Sequence, residues 1–530
     1  MELLNNDLSS FFTIWWCFPE FLLVLFISIF TGTLPFIKSE IKEWRTDNIN
    51  HYNSNTFSAI CINISLVITL IAVWSVDHGT FFGGQFINDA NTSFFKSLVL
   101  ITGIFLVAMG PRFYKIERRQ FSEYGILISL VCLGLCSLIS SNDLIIFFLS
   151  IELISLTLYI LAASKNDSNY SSEAALKYFV LGAVASGILV LGISLVYHVT
   201  GSTEFGAIKL MISGFSEVTE KEALIGLALI CIGLFCKLAA APFHMWAPDV
   251  YEGVPTLILA AFATLPKIGL ISILARIGFD FFTFYSVEWE YMTLIVGFFS
   301  IAWGTYGGLE QVKIKRILAY SSISHVGFMI VLLGSNSFLS QVTLNFYLLA
   351  YILTTLAVAT FFVSLKRTDL NVKSMKDIQA SNDEIDRQAS IPEFKTIHHL
   401  TQTCARISRS LCILAMLLVS LAGIPPLIGF FAKFRVFSDI IERNSFYSYS
   451  ISSMILGLSI ISTLYYIRII KHIFFKAGKS PREVIVANIS WPVSKIMSLA
   501  SVVSISFIFA PNFYLLPLYS CTLNSVFFAL

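Results

Sequence analysis

Apolar stretches of about twenty residues, separated by short polar connections, recur along almost the whole chain. In a bilayer such a stretch crosses as a helix, because a helix satisfies its own backbone polar groups where no water can. The pattern predicts about fourteen spans: Phe18–Ile37, Phe57–Val76, Phe95–Gly110, Glu123–Ser140, Asp143–Ala163, Ala174–Val199, Glu222–Tyr251, Thr256–Gly278, Glu290–Leu309, Arg316–Gly334, Val342–Leu365, Leu411–Ile441, Ile451–Phe475 and Val493–Leu516. Proline interrupts two of them: Pro242 in the seventh, Pro425 and Pro426 in the twelfth. The segment Glu204–Phe215 is too short to cross and is expected to lie at the interface as a short helix. The fold class is an all-α polytopic membrane protein.

The connections support that count. Those following odd-numbered spans hold roughly 25 of the Lys and Arg residues and the opposite side about four, and positive loops stay on the side of synthesis. Both termini are then expected to face away from that side. The connection 366–410 is the only long polar one, and contains SNDEIDRQAS and IPEF. It reads either as a surface insertion or as a docking surface for a neighbouring protein.

The seventh and twelfth spans are both long, both broken and both carry a lysine, Lys237 and Lys433. They are five spans apart. Five is odd, so the repeated unit enters the membrane from the other side, the pattern of an inverted repeat with discontinuous helices. The expected organisation is a three-helix segment (1–122), a first five-helix repeat (123–278), a second, inverted repeat including the polar loop (279–476), and a last helix (477–530).

Composition agrees. Of 530 residues, 56% are hydrophobic and 13% charged, against about 25% charged in soluble domains. The net charge of +2 and the lack of a basic tract exclude a nucleic-acid partner. Nine cysteines are scattered singly. Cys132 and Cys136 share a helix face and Cys231 and Cys236 do so loosely, but without polar metal-ligand company they read as packing residues. The start, MELLNNDLSSFF, has neither the basic n-region of a secretory signal nor the Arg/Ser pattern of a transit peptide. Such a chain is made in a bacterium or inside an organelle, and 48 phenylalanines suit an AT-rich genome. There is no GxGxxG fingerprint, no Walker A sequence, no cysteine framework for an iron–sulfur cluster and no paired membrane histidines for haem. If redox chemistry or ATP drives this protein, another chain holds it.

Four ionisable residues lie inside spans, away from their ends: Glu152 in the fifth, Lys237 in the seventh, Lys267 in the eighth and Lys433 after the break in the twelfth. Together they cost on the order of 10 kcal/mol by insertion scales. Glu152 with Lys237 could be an ion pair that fixes packing, but buried pairs seldom add net stability, and Lys267 and Lys433 have no carboxylate partner in sight. The functional reading is a lateral proton relay. Lysine suits it because its proton affinity moves far when its surroundings change. Beside Glu152, Lys237 keeps its proton; separated, it passes the proton toward Lys267 and then Lys433. His325, in AYSSISHVGFMI, is a further relay candidate, with Ser321, Ser322 and Ser324 able to order water; the alternative is a satisfied core histidine. His244 is expected to orient the break in the seventh span. His198 and Lys177 sit near helix ends and read as interfacial. Lys313, Lys315 and Arg316 are expected to anchor phospholipid head groups.

Four long motifs, FCKLAAAPFHMWAPDVYEGVPT, KIKRILAYSSISHVGFM, AGIPPLIGFFAKF and IELISLTLYILAASK, together resemble the subunit 2 family of NADH dehydrogenase. That family comprises antiporter-like membrane subunits of respiratory complex I. The likeness runs from the fourth span through the thirteenth, includes EAALKYFVLGAVASGILVLG in the sixth, and is similar to plant- and protist-type mitochondrial chains, with the three leading helices retained. It implies a proton-translocating subunit of NADH:ubiquinone oxidoreductase in which Glu152, Lys237, Lys267 and Lys433 carry the pathway. It also implies that this chain binds no cofactor, with NADH, FMN, iron–sulfur clusters and ubiquinone in partner subunits. The implied partners are the other membrane subunits (4 and 4L-like neighbours), accessory subunits and phospholipids, in the mitochondrial inner membrane with both termini facing the intermembrane space; the alternative setting is a bacterial plasma membrane. Two departures stand out: the longer polar loop, and LTTLAVATFF in the eleventh span, where plant-type chains often carry an acidic residue after the paired threonines. Two other readings remain open from the sequence: a subunit of a multisubunit cation/proton antiporter, and a non-conducting spacer of the membrane arm.

Overall fold

The computed structural model describes residues 18–43, 48–76, 78–116, 121–165, 168–214, 217–282, 284–335, 337–364, 408–442 and 446–475. In chain order its helices are α1 (Phe18–Glu43), α2 (Asn48–Ser75), α3 (Ala90–Ile116), α4 (Ser122–Ser140), α5 (Leu144–Ala162), α6 (Asn169–Thr200), α7 (Phe205–Ile212), α8 (Glu217–Leu238), α9 (Trp246–Gly253), α10 (Thr256–Asp280), α11 (Ser286–Leu309), α12 (Ile314–Leu333), α13 (Phe338–Ser364), α14 (Ser408–Ala422), α15 (Ile428–Glu442) and α16 (Phe446–Phe474). A small antiparallel hairpin, β1 (Gly79–Phe81) with β2 (Phe86–Asn88), lies between α2 and α3. Among the described residues, 10 helices are long and apolar enough to cross a membrane. Each predicted span up to Ile451–Phe475 falls on described helix, the seventh and twelfth as the pairs α8/α9 and α14/α15. The predicted span Val493–Leu516 and all but the last residues of the loop 366–410 lie outside the described residues. The short interfacial helix is α7.

The odd-and-even sorting of connections is visible in their contacts. Connections predicted on one side meet there: Asn142 Nδ2 donates to Gly84 O of the hairpin at 2.7 Å, and Phe205 N to Asn142 O at 2.9 Å. Asp143 caps α5 by accepting from Ile145 N at 2.7 Å and from Thr203 Oγ1 at 2.8 Å. On the other side, α9 is clamped to the start of α12. Arg316 reaches Asp249 at 2.8 Å and Glu252 at 3.2 Å, Lys313 pairs with Glu252, and Lys315 donates to Val254 O at 2.6 Å. These three cations were expected to hold lipid head groups. The carboxylates of the PDVYEG stretch engage Lys313 and Arg316, because the half-helix after the break brings its acidic residues to that face. Lys177, read as interfacial, joins the same cluster through Asp249 at 3.1 Å.

Helix α10 is the axis of the bundle: nearly all its side chains from Leu257 to Gly278 are buried. Where helices approach most closely, glycine makes the room. A Cβ on Gly327 of α12 would meet Gly297 O of α11 at 2.8 Å, and one on Gly297 would meet Gly327 O at 3.0 Å. Without a hydrophobic force between helices in lipid, such backbone contact supplies the association. The outward faces carry large apolar side chains, among them Leu176, Val180, Val184 and Leu191 on α6.

The leading helices are fastened by a charged pair that hydropathy hides. Lys96 of α3 lies 2.6 Å from Glu20 of α1, with side-chain exposures of 1% and 10%, and Ser140 of α4 donates to the same carboxylate oxygen at 3.2 Å. Removing one partner of such a pair strands a buried charge, at a cost of about 3–5 kcal/mol. Glu20→Ala should lower the thermal stability of the purified protein by that order, and Glu20→Leu combined with Lys96→Met should recover most of the loss. A double variant no more stable than the single one would contradict the pairing.

Candidate functional site

Both helix breaks are built alike. Helix α8 ends in a Schellman motif: Ala240 N donates to Phe235 O at 3.0 Å, Ala239 N to Cys236 O at 3.2 Å, and Ala239 takes the left-handed conformation at φ 59°. Helix α14 ends the same way, with Ile424 N to Val419 O at 3.3 Å, Gly423 N to Ser420 O at 3.0 Å, and Gly423 at φ 80°. Each motif is followed by a cis proline bond, Ala241–Pro242 and Pro425–Pro426. The first break thus begins before Pro242, because proline has no N–H for the carbonyl four residues back and disfavours helix in the residue preceding it. Lys237 stands in the last turn before this break. Beyond it, the Ala241 N–H is taken by Ser300 Oγ of α11 at 2.8 Å.

Lys237 and Glu152 meet as the sequence suggested, though loosely. Nζ lies 3.4 Å from Glu152 Oε1 and donates a shorter bond, 2.7 Å, to Ser155 Oγ one turn along α5. Glu152 is the more exposed partner, 27% against 10%. A cavity of 30 Å³ opens beside the pair, lined by Ser155, Tyr159, Tyr178, Lys237, Trp246 and Pro266 among others. Most of its lining is apolar, Ile151, Ile154, Leu158 and Leu270 included, and it reaches from Lys237 to Pro266, the residue before Lys267. Trp246 closes it from the start of α9, donating through Nε1 to Cys236 O at 2.9 Å.

Pro266 explains why Lys267 finds polar company on α10. Its ring leaves Phe262 O without a helical donor, and the Tyr251 hydroxyl fills that place at 3.2 Å. The Tyr351 hydroxyl of α13 donates likewise to Ala263 O at 3.2 Å and accepts from Lys267 Nζ at 2.6 Å. Lys267 also reaches Ser322 O at 3.5 Å and lies over the Tyr351 ring at 4.7 Å from its centroid. Its partners are neutral oxygens and a π-face, with no carboxylate among those contacts.

His325 is fully enclosed by tyrosines. Nδ1 is 2.8 Å from the Tyr347 hydroxyl, Nε2 is 3.4 Å from the Tyr466 hydroxyl, and the Tyr351 ring centroid is 5.3 Å away. Tyr351 thus touches both Lys267 and His325. Lys433 lies back against the second break. Side chains on a helix lean toward its N-terminus, so Lys433 folds back from α15 onto the break, donating to Ala422 O at 2.8 Å. The carbonyl end of α14, which carries partial negative charge, receives the ammonium. Phe328, one turn beyond His325 on the same face of α12, lies 5.4 Å beneath it. The structure thus brings all five candidates onto facing surfaces of neighbouring helices. His244 is buried within the first break with Nδ1 unsatisfied and Trp303 at 6.0 Å.

The sequence did not single out Ser155, Tyr347, Tyr351 or Tyr466. Tyr347 and Tyr351 are four apart in the eleventh span, a spacing that puts two hydroxyls on one helix face, and that was the available signal. The position after the paired threonines of α13 is Leu356, a buried apolar residue. Thr354 and Thr355 spend their hydroxyls on their own helix backbone.

The family model for the transmembrane region of NADH:quinone oxidoreductase and Mrp antiporters matches residues 141–462. The chain is 35% identical to NADH-quinone oxidoreductase subunit N of Parvibaculum lavamentivorans over 76% of this chain and 77% of that one. It is likewise 35% identical to subunit N 1 of Rhizobium meliloti, over 79% and 82%. By fold it resembles a chain of respiratory complex I from Thermus thermophilus, with a TM-score of 0.70 at 24% identity over 94% of this chain and 98% of that one. It resembles a chain of the Mrp complex from Dietzia sp. with a TM-score of 0.72 at 17% identity, over 98% and 97%. At those identities the structural likeness speaks for the fold alone. The family match begins at the end of α4, so the Glu20–Lys96 pair lies outside it.

The bond from Ser300 to the Ala241 N–H is the one that holds the first break to α11. Ser300→Ala leaves that buried N–H without a partner and should cost about 1–3 kcal/mol, read as a lower thermal midpoint. An unchanged midpoint would show that the break is held by other contacts.

Proposed function

The chain belongs to the NADH:quinone oxidoreductase/Mrp antiporter transmembrane family, and from that footing we propose that it is a proton-translocating membrane subunit of an NADH:quinone oxidoreductase. The reaction's NADH, flavin, iron–sulfur and quinone chemistry is assigned to partner subunits, and the neighbours to other chains of the membrane arm. The curated relatives are bacterial, which supports a bacterial plasma membrane over the mitochondrial inner membrane.

The observation that carries the reading is the sequence of polar contacts across the bundle. It begins at Glu152, Lys237 and Ser155, follows the small cavity to Pro266 beside Lys267, and continues from Lys267 through Tyr351 to His325, with Lys433 over Phe328 one turn further along α12. While Glu152 stays beside it, the Lys237 ammonium is held. When the carboxylate withdraws, the proton can pass by water in the cavity to a neutral Lys267 amine, and from there by the tyrosine and histidine groups to a neutral Lys433. The matched Schellman endings of α8 and α14 support two five-helix units, 123–278 and 279–476, related by inversion, with residues 1–122 and 477–530 added outside them. The matching family model, which covers Mrp antiporters as well, supports a cation/proton antiporter subunit as the second reading; co-purification with flavin and iron–sulfur subunits distinguishes the first.

In the assembled complex reconstituted into vesicles, Lys237→Met should leave assembly intact and reduce proton pumping severalfold. Lys237→Arg should be harmful too, because arginine keeps its proton throughout the accessible range. Full pumping by a fully assembled Lys237→Met complex would assign the chain a spacer role.

A further inference from the structure

Tyr347 makes the shortest polar contact to His325, while the path above reaches the histidine past Tyr351. The Tyr347 hydroxyl lies 2.8 Å from Nδ1, a full hydrogen bond. The other ring nitrogen, Nε2, is 3.4 Å from the Tyr466 hydroxyl, a weaker contact. All three side chains are buried, with exposures of 2% for Tyr347, 1% for Tyr466 and 7% for His325. The Tyr347 ring is held in place as well: it stacks with Phe328 at a centroid distance of 6.0 Å and 26° between planes. With the ring fixed, only the hydroxyl hydrogen is free to turn.

Donors and acceptors decide where that hydrogen points. A tyrosine hydroxyl has one hydrogen to give, and a neutral imidazole has one donor and one acceptor nitrogen. A buried donor without an acceptor is costly. Among the described residues the Tyr347 hydroxyl has no hydrogen-bond partner besides Nδ1. Tyr466 has a second one in Ser321. The Ser321 hydroxyl hydrogen goes to Leu318 O at 2.8 Å, which leaves its oxygen free to accept. Tyr347 therefore donates to Nδ1, and the neutral ring carries its hydrogen on Nε2, facing Tyr466. The opposite tautomer would leave the Tyr347 O–H aimed at nothing.

We propose that Tyr347 is a positioning residue of the relay, which fixes His325 in the Nε2–H tautomer and makes Nδ1 the nitrogen where a relayed proton binds. The inference rests on the proton-pumping reading above and deepens it. In the step, an incoming proton binds the Nδ1 lone pair and the ring becomes imidazolium. The Tyr347 hydroxyl turns, and its oxygen accepts from Nδ1–H. Release of that proton to the next group of the path returns the neutral ring, and the hydroxyl swings back to donate.

The test measures protons moved per electron pair by the assembled complex in vesicles, for the parent, Lys237→Met, His325→Gln, Tyr347→Phe and the double variant of the last two. Tyr347→Phe keeps the ring on Phe328 and removes only the hydroxyl; His325→Gln keeps an acceptor for that hydroxyl but cannot carry a proton. Tyr347→Phe should produce at least half the fall seen in His325→Gln. The double variant should fall no further than His325→Gln, because the hydroxyl acts only through the imidazole. A hydroxyl with a merely structural role would lower the ratio in both backgrounds, and that result would overturn the proposal. A parent-like ratio in Tyr347→Phe beside a lowered one in His325→Gln would overturn it too, and so would a failure of Tyr347→Phe to assemble. A parent-like ratio in His325→Gln would remove the imidazole from the path and the proposal with it. If Lys237→Met itself pumps fully, it is the proton-pumping reading that fails, and the proposal falls with it.

Discussion

Three ammonium groups inside an apolar bundle must each find oxygen, and almost every unusual feature of this fold supplies one. An unpaired buried charge is the costliest thing a membrane span can hold. In continuous helix each carbonyl already accepts one backbone bond, so a helix end offers a freer oxygen. The chain frees carbonyls by ending helices early, at Leu238 and Ala422, and by setting Pro266 one residue ahead of Lys267. Lys433 takes the oxygen freed at Ala422. Near Pro266 the tyrosines 251 and 351 satisfy the loosened backbone, and Tyr351 then offers its hydroxyl to Lys267.

The two ends of the path differ in kind. At the first break a carboxylate is present, but Lys237 keeps its shorter bond for Ser155 and lies 3.4 Å from Glu152. A contact this long, at a partly exposed carboxylate, can be opened without stranding the ammonium. At Lys267 and Lys433 no carboxylate touches the nitrogen in the contacts described. Tyr351, in contact with both Lys267 and His325, is the narrowest point between the two halves.

Much of this was legible in the sequence. Hydrophobic length located the spans, and the alternation of basic loops sorted connections that do meet on common sides, such as Asn142 with Gly84. Buried lysines at breaks announced the site, because few physical reasons keep them there. The tyrosines were not legible, since a tyrosine in an apolar run reads as packing and only tertiary contact shows where its hydroxyl points. Glu20 and Lys96 escaped for a related reason: each lies within two turns of a helix start and passes for an interfacial residue until α1, α3 and α4 are brought together. The ion pairs of Lys313 and Arg316 with Asp249 and Glu252 were not legible, because the sequence puts these residues on one side of the bundle without saying that α9 and the start of α12 meet there.

The central claim is that protons move sideways between these groups, which requires water or hydroxyl at every step. The most direct measurement is a density map of the assembled complex in lipid, at a resolution that places ordered water. The account predicts water or side-chain oxygen bridging Lys237 to Lys267, and Lys267 through Tyr351 and His325 to Lys433, with successive steps of hydrogen-bond length, about 2.7–3.2 Å. A dry apolar gap between Lys237 and Lys267 in every state of the turnover cycle would contradict it.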